Sequence, residues 1–343
     1  MTVDQISPQQ SAFSRKGAEG KDPRAPVEPG RAMADESAVP IRVPLRYRNR
    51  HVEFFYRLVT ERPMGAFGAL ICIILLLTGL FASVIAPEGY NAIAPLDRLK
   101  PPSAEHWLGT DHLGRDVFAR IVHGAQLSVI VAFAATTLSI VISVVIGLVS
   151  GYLGGRTDMT TQRLVDGWMC FPDLIILIVA VSVIGPGTWQ VILILGLLFG
   201  ISGSRIVRGA VLSTKENIYV HAAKSMGAST LWILWRHILP NVMPPIIVLF
   251  TTRLAAVILA ESGLSFLGLG IPPPAPSWGG MLSLDGRSYM FVAPWLAIMP
   301  GVALAIAVFG INMFGDALRD LLDPRMRGGT GRYMARVNRK PMP

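Results

Sequence analysis

Long apolar blocks alternate with short polar gaps along this chain. Six blocks are apolar over enough residues to cross a bilayer as helix, which takes about 20 residues. They run approximately over residues 65–86, 127–150, 172–184, 190–206, 242–260 and 293–314, the third being the shortest. Backbone amides find no water in lipid, so blocks of this composition are predicted to be helices rather than open strands. The pattern predicts an all-α polytopic membrane protein with six transmembrane helices within residues 61–327. Residues 1–60 are polar, charged and Pro-bearing, with no early apolar run behind a basic start. They read as a disordered cytosolic leader and not as a cleaved signal peptide. Residues 328–343 read as a basic cytosolic tail.

Three gaps carry further pattern. In residues 114–126, Phe118, Ile121, Val122 and Ala125 fall at i, i+3, i+4 and i+7, which predicts an amphipathic helix lying at the outer interface. Residues 262–292 carry Gly-Leu-Gly and then Pro272, Pro273, Pro274 and Pro276, which predicts a stiff loop poor in hydrogen bonds. Between the fourth and fifth blocks, Ser213 and Glu216 have capping-box spacing and predict a helix start. Tyr219, Ala222, Ala223 and Met226 then form a stripe that ends at Gly227, a residue suited to the left-handed helix-ending position. Ser229 or Thr230 can cap a second helix over residues 231–239, which Pro240 is expected to stop. Residues 207–240 thus read as helix, glycine turn and helix. An amphipathic loop resting on lipid headgroups fits the same physics.

Charge then sets the orientation. The 343 residues are 52% hydrophobic and 15% charged, with a formal net charge of +9, whereas soluble domains carry about 25% charged residues. A nucleic-acid binder would gather such charge on one face; here it is pushed into the gaps between blocks. One alternating set of gaps holds 25 of the 31 Lys and Arg (11 up to Arg62, then 2, 5 and 7), and the other set holds 5. That asymmetry predicts both termini in the cytosol, with some attraction to anionic lipid besides. Arg253 is the remaining one. It lies about 17 Å along the fifth block as helix, near the midplane, where an arginine is expected to face the bundle interior. A contact to a substrate carboxylate in the translocation pathway, or a structural tie, would explain it.

Catalytic chemistry is thin. No GxxxxGK[ST], HExxH or GxSxG run occurs, so neither ATP binding nor hydrolysis is expected of this chain. Cys72 and Cys170 stand apart without a CxxC neighbour and read as reduced thiols. His106 and His112 leave open either a nickel or zinc site or solvated loop residues.

The loop Tyr219-Val-His-Ala-Ala-Lys-Ser-Met-Gly227-Ala-Ser, followed by His237-Ile-Leu-Pro240, resembles the "EAA" loop of ABC importer permeases. Leu108-Gly-Thr-Asp-His-Leu-Gly-Arg-Asp116 resembles the outer signature of dipeptide/oligopeptide-type permeases. Two further stretches, Glu261-Ser-Gly-Leu-Ser-Phe-Leu-Gly-Leu-Gly270 and Asn312-Met-Phe-Gly-Asp-Ala-Leu-Arg-Asp-Leu-Leu-Asp-Pro324, resemble the same group. Together they resemble the C-type subunit of the peptide/nickel transport family, over about residues 50 to 327. The resemblance implies a type I importer permease fold in a bacterial inner membrane. It implies a non-catalytic subunit that couples closure of partner ATPases to uptake of dipeptides or oligopeptides, with nickel or another small solute as the alternative cargo. Its implied partners are a homologous second permease, two cytosolic ABC ATPases carrying the ATP and Mg, and an extracytoplasmic binding protein; no cofactor is expected on this chain. Coupling falls to Tyr219, His221, Ala222, Ala223, Met226, Gly227 and Pro240, and the outer motif to Gly109, Asp111, Gly114, Arg115 and Asp116. His221 stands where the family usually has Glu, and His237 where Ile is commonest. An ion-driven secondary transporter, the rival class, should show an inverted repeat or buried acids in its spans, and neither is evident.

Overall fold

The computed structural model describes residues 50–322, with side-chain surroundings from Phe54 onward. The leader up to residue 49, residues 323–327 and the basic tail lie outside the described residues. Nine helices organise the described part: α1 (Arg50–Glu61), α2 (Pro63–Leu80), α3 (Val117–Leu153), α4 (Gly155–Met169), α5 (Asp173–Ile184), α6 (Thr188–Lys215), α7 (Ile218–Ser225), α8 (Thr230–Phe266) and α9 (Trp295–Leu322). Of these, α2, α3, α6, α8 and α9 are each long and apolar enough to cross a membrane. No strand occurs among the described residues; Thr110 and Asp116 form one isolated bridge.

Small residues make the bundle. Along α3 the buried positions Ser128, Ala132, Ala135, Ser139, Ser143, Gly147 and Gly151 recur every three or four residues, which aligns them on one helix face. That face meets α6. A Cβ on Gly147 would stand 2.6 Å from Val207 Cβ, and one on Gly200 would stand 2.8 Å from Ile142 Cβ. The Ser143 hydroxyl donates to Gly200 O at 2.8 Å across the same seam. On the other side, α2 meets α9, where a Cβ on Gly68 would come within 2.7 Å of Gly310 O. Lipid supplies no hydrophobic drive between helices, so close backbone approach of this kind is what holds such bundles.

The structure revises several sequence expectations. Residues 50–60 are not part of a disordered leader but form most of α1. The charges of this segment hide an apolar edge on which Leu58 is buried, its Cδ1 lying 3.4 Å from where a Gly65 Cβ would be. The third expected span is the 12-residue α5, about 18 Å long. It is joined to amphipathic α4 at an 85° bend, and only the two together are long and apolar enough to count with the five spans. Pro172, at the N-cap of α5, enforces the break. Residues 114–126 are not a separate interfacial helix: nothing interrupts the chain after Gln126, so residues from Val117 on are the first turns of α3. The stiff loop of the second gap is confined to about residues 267–277, and residues 278–289 return to short helical turns. Ser213 lies inside α6, not at a helix start. Pro240 does not stop a helix either. A π-helical turn, Leu234–Ile238, precedes it within α8, and the wider turn accommodates a ring that would strike the carbonyl of a regular helix.

Candidate functional site

Two sites stand at opposite ends of α3. At its C-terminal end, α6 runs into α7. Lys215 Nζ donates to Gly151 O at 3.1 Å, and Arg208 holds Asp158 of α4 through Nε–Oδ1 and Nη2–Oδ2 bonds of 2.6 Å each. Arg205 pairs with Asp166 of the same helix. The chain leaves α7 through a two-bond turn: Gly227 N donates to Lys224 O (3.0 Å) and Ala228 N to Ala223 O (3.1 Å). This is the Schellman arrangement, and it places Gly227 at φ +81° as the sequence predicts. Ser229 then caps α8, its hydroxyl accepting from Trp232 N.

The expected stripe on α7 divides. Ala223 faces inward with Val220, both buried against Val207, Val211, Ile233, Ile238 and Val242. Tyr219, Ala222 and Met226 face outward with Ile218; Met226 is 80% exposed and Ile218 87%. His221 is exposed, its Nε2 3.8 Å from Glu216 Oε2, a separation that contributes little at a surface. The His237 ring sits between Tyr219 and Trp232, with centroids at 6.0 and 4.8 Å. Pro240, one turn further on, is exposed within α8.

At the N-terminal end of α3 the expected outer motif folds into a closed knot. Asp111 is buried; its Oδ1 accepts from Leu113 N (2.8 Å) and Arg115 N (2.9 Å), and its Oδ2 accepts from Arg115 Nε (2.6 Å). Gly114 has φ +76°, and a Cβ there would collide with Ala94 O. Gly109 abuts Trp295 and Lys100. Asp116 caps α3, accepting from Ala119 N at 2.9 Å, while its other oxygen lies 2.8 Å from His106 Nδ1. On the rim, the Asp97 carboxyl is held below its usual range, chiefly by the Lys100 ammonium.

Sequence reasoning missed two partners of this knot. Asp285, from the second gap, has Oδ1 2.5 Å from His112 Nδ1 and Oδ2 3.9 Å from Arg115 Nη2. Burial pushes its carboxyl up, with the His112 charge acting against that rise. Arg120 is buried beside Asp111 at 3.7 Å. No spacing rule links residues 112 and 285, so only the fold brings them together. Oxygens of Asp111 and Asp285 and a His112 nitrogen lie within 4.8 Å of one another. However, two guanidinium groups already face these carboxylates, which disfavours a cation among them.

Arg253, on α8, is half-buried. Its Nη2 lies 3.2 Å from Ser202 Oγ, and its guanidinium sits 4.9 Å over the Phe199 ring. Among the described residues no carboxylate lies within ion-pair distance. Glu261, further along α8, is fully buried and accepts from the hydroxyls of Ser265 (2.7 Å) and Ser262 (3.3 Å); it is a buried acid within a span-length helix, which the sequence pattern did not make evident.

Fold and sites together define a polytopic helical membrane protein with an uncovered helix and glycine turn at one end and a polar knot at the other. The family model described as binding-protein-dependent transport system inner membrane component matches residues 143–328, and the chain belongs to that family. It is 38% identical over 272 residues to the dipeptide transport system permease protein DppC of Alkalihalophilus pseudofirmus, covering 79% of this chain and 89% of that one. It is 40% identical to the oligopeptide transport system permease protein OppC of Bacillus subtilis over 260 residues, 76% of this chain and 85% of that one. It is 38% identical to the glutathione transport system permease protein GsiD of Escherichia coli over 299 residues, 87% of this chain and 98% of that one. Among solved structures, a chain of the inward-facing MetNI methionine ABC transporter aligns over 60% of this chain and 96% of that one, with TM-score 0.49 and 19% identity. By the family match and these relatives, the protein is a permease component of a binding-protein-dependent transport system.

Proposed function

We propose that this chain is one of two permease subunits of an ATP-driven importer of dipeptides or oligopeptides, and that α7 is its docking helix for a cytosolic ABC ATPase. The observation that carries the reading is the division of α7. One face is locked into the bundle by Val220 and Ala223, and the other offers Ile218, Tyr219, Ala222 and Met226 uncovered. A helix held on one side and bare on the other transmits a partner's movement to the spans it is packed on. Three relatives named for dipeptide, oligopeptide and glutathione transport support a small peptide-like cargo. ATP and Mg are then held by the partner ATPases, and a binding protein delivers cargo to the opposite end of the bundle. The excess of Lys and Arg in the gaps on the α7 side supports a cytosolic location for that end and for both termini. In this reading Arg253 faces the shared pathway, its guanidinium available to a passing carboxylate.

Cysteine cross-linking in the assembled transporter tests the docking. Met226→Cys should cross-link to a cysteine placed in the ATPase cleft, with a yield that changes on adding ATP. Val220→Cys, on the locked face, should not. Equal yields from both positions, or none from Met226→Cys, would remove α7 from the interface.

A further inference from the structure

Between the outer knot, the start of α3 and residues 268–289 lies a cavity of about 480 Å³, within the usual range of small-ligand sites. Its charged lining is anchored by Asp111 and Asp285: Arg115 Nε donates to Asp111, and His112 Nδ1 lies 2.5 Å from Asp285 Oδ1. Arg120 is held less closely. It is only 6% exposed, yet its Nε has no hydrogen-bond acceptor, and its bond from Nη1 to Tyr90 O is a long 3.4 Å. Its approach to Asp111 stops at 3.7 Å. A guanidinium has five donors in a fixed fork that matches a carboxylate, so this is a buried cation lining the cavity with its donors not all matched, although Nε itself is closed off from solvent.

The remaining walls narrow the guest. Leu113, Ile271, Met281 and Leu284 offer apolar surface. Pro272 and Pro273 have no N–H, so the loop between α8 and residue 278 contributes few donors of its own. An anionic guest would meet Arg120 together with the hydroxyls of Ser288 and Tyr289 in the same lining, with its apolar part against the leucine and isoleucine side chains. The Asp285 carboxyl shares the cavity and lies 2.5 Å from the His112 ring nitrogen, which offsets its repulsion of an anion.

We infer that this cavity is a subsite on the permease itself for the C-terminal carboxylate of a short peptide, with Arg120 as the carboxylate-binding residue. The inference rests on the peptide reading above, since the same chemistry would otherwise describe any small amphipathic acid. It gives the outer end a recognition role separate from that of the delivering binding protein.

The test uses the assembled transporter in lipid nanodiscs without its binding protein, probed by saturation-transfer NMR with the dipeptide Ala-Phe and with its C-terminal amide. The free acid should bind, and the amide should bind about tenfold more weakly, the loss expected for a missing charge-assisted bond. Arg120→Gln should bring the acid down to the level of the amide. Leu284→Trp, a substitution at a side chain that makes no ion pair and is 54% exposed, should fill the cavity and abolish both signals. It decides the matter even if Arg120→Gln does not assemble. Equal binding of acid and amide, no binding of either, or acid binding that survives Leu284→Trp overturns the subsite. So does a result in which Arg120→Gln weakens attachment of the binding protein while Ala-Phe gives no signal, because the cation then serves a protein surface. ATP-driven peptide uptake by the complete system keeps the two readings apart. Uptake without acid binding sinks the subsite alone, and acid binding without peptide uptake sinks the peptide reading alone.

Discussion

Arg208 and Asp158 face each other across 50 residues of sequence through two parallel 2.6 Å hydrogen bonds. The pair fastens the short amphipathic α4 to the lower half of α6, two turns before α6 delivers the chain to α7. Side-chain exposures of 29% and 16% keep the pair largely out of water, and the fork-to-fork geometry is the strong form of such a contact. Breaking it with Asp158→Asn or Arg208→Lys should cost about 1.5–3 kcal/mol of stability. A double-mutant cycle on thermal unfolding should return a coupling of about 1–3 kcal/mol. Additive losses would show that the two residues act independently.

Gly227 is the next point of leverage. Nothing lies within 4 Å of where its Cβ would be, so a substitution there meets no steric clash. The cost comes only from φ +81°, about 1–2 kcal/mol for an ordinary L residue and more for a β-branched one. Gly227→Val should therefore insert and assemble but hydrolyse ATP with reduced uptake, because the turn that fixes α7 is strained. Gly227→Asn, better tolerated in the left-handed region, should retain most of the uptake per ATP. Equal uptake per ATP in Gly227→Val and wild type would contradict this.

The seam between α3 and α6 makes the opposite kind of prediction. At Gly147 the obstacle is Val207, 2.6 Å from any Cβ, and the backbone N of Arg208 at 2.9 Å. Gly147→Leu should force the helices apart at a cost of about 1–3 kcal/mol, as for overpacking of this size. The measurement is thermal aggregation of the purified permease. Partial recovery on combining it with Val207→Ala would locate the clash in the seam.

Asp285 sets a pH dependence at the outer knot. Burial raises its folded-state carboxyl above the ordinary 3.8. A group raised on folding contributes stability that is full below its unfolded value and is lost as pH climbs through the folded value. Asp285→Asn cannot ionise and escapes that loss. Its melting temperature relative to wild type should therefore rise as the pH climbs above about 4. A relative fall over that range would mean that the His112, Arg115 and Arg120 charges outweigh the burial.

Local features of the sequence were the readable ones. The spans, the Gly227 turn and the Ser229 cap each depend on residues a few positions apart. Features that depend on distant residues were not readable. Asp158 meets Arg208, and Asp285 meets His112, only because the bundle brings their helices together. The charges of α1 hid the apolar edge that buries Leu58, and Pro240 looked like a stop because a π turn before it leaves no mark in a hydrophobic pattern. On α7 the stripe was visible, but not its division: whether Ala223 or Ala222 turns inward is decided by Val207 and Val211 on α6, outside the segment itself.

The central claim is that movement of an ATPase, received at α7, drives cargo through these spans. Peptide uptake into proteoliposomes bearing the complete transporter, with binding protein outside and ATP inside, tests it most directly. Uptake should require ATP and a hydrolysis-competent ATPase, and Gly227→Val should continue to hydrolyse ATP while uptake falls. Uptake that persists without the ATPase subunits, or that follows an ion gradient instead of ATP, would contradict the account.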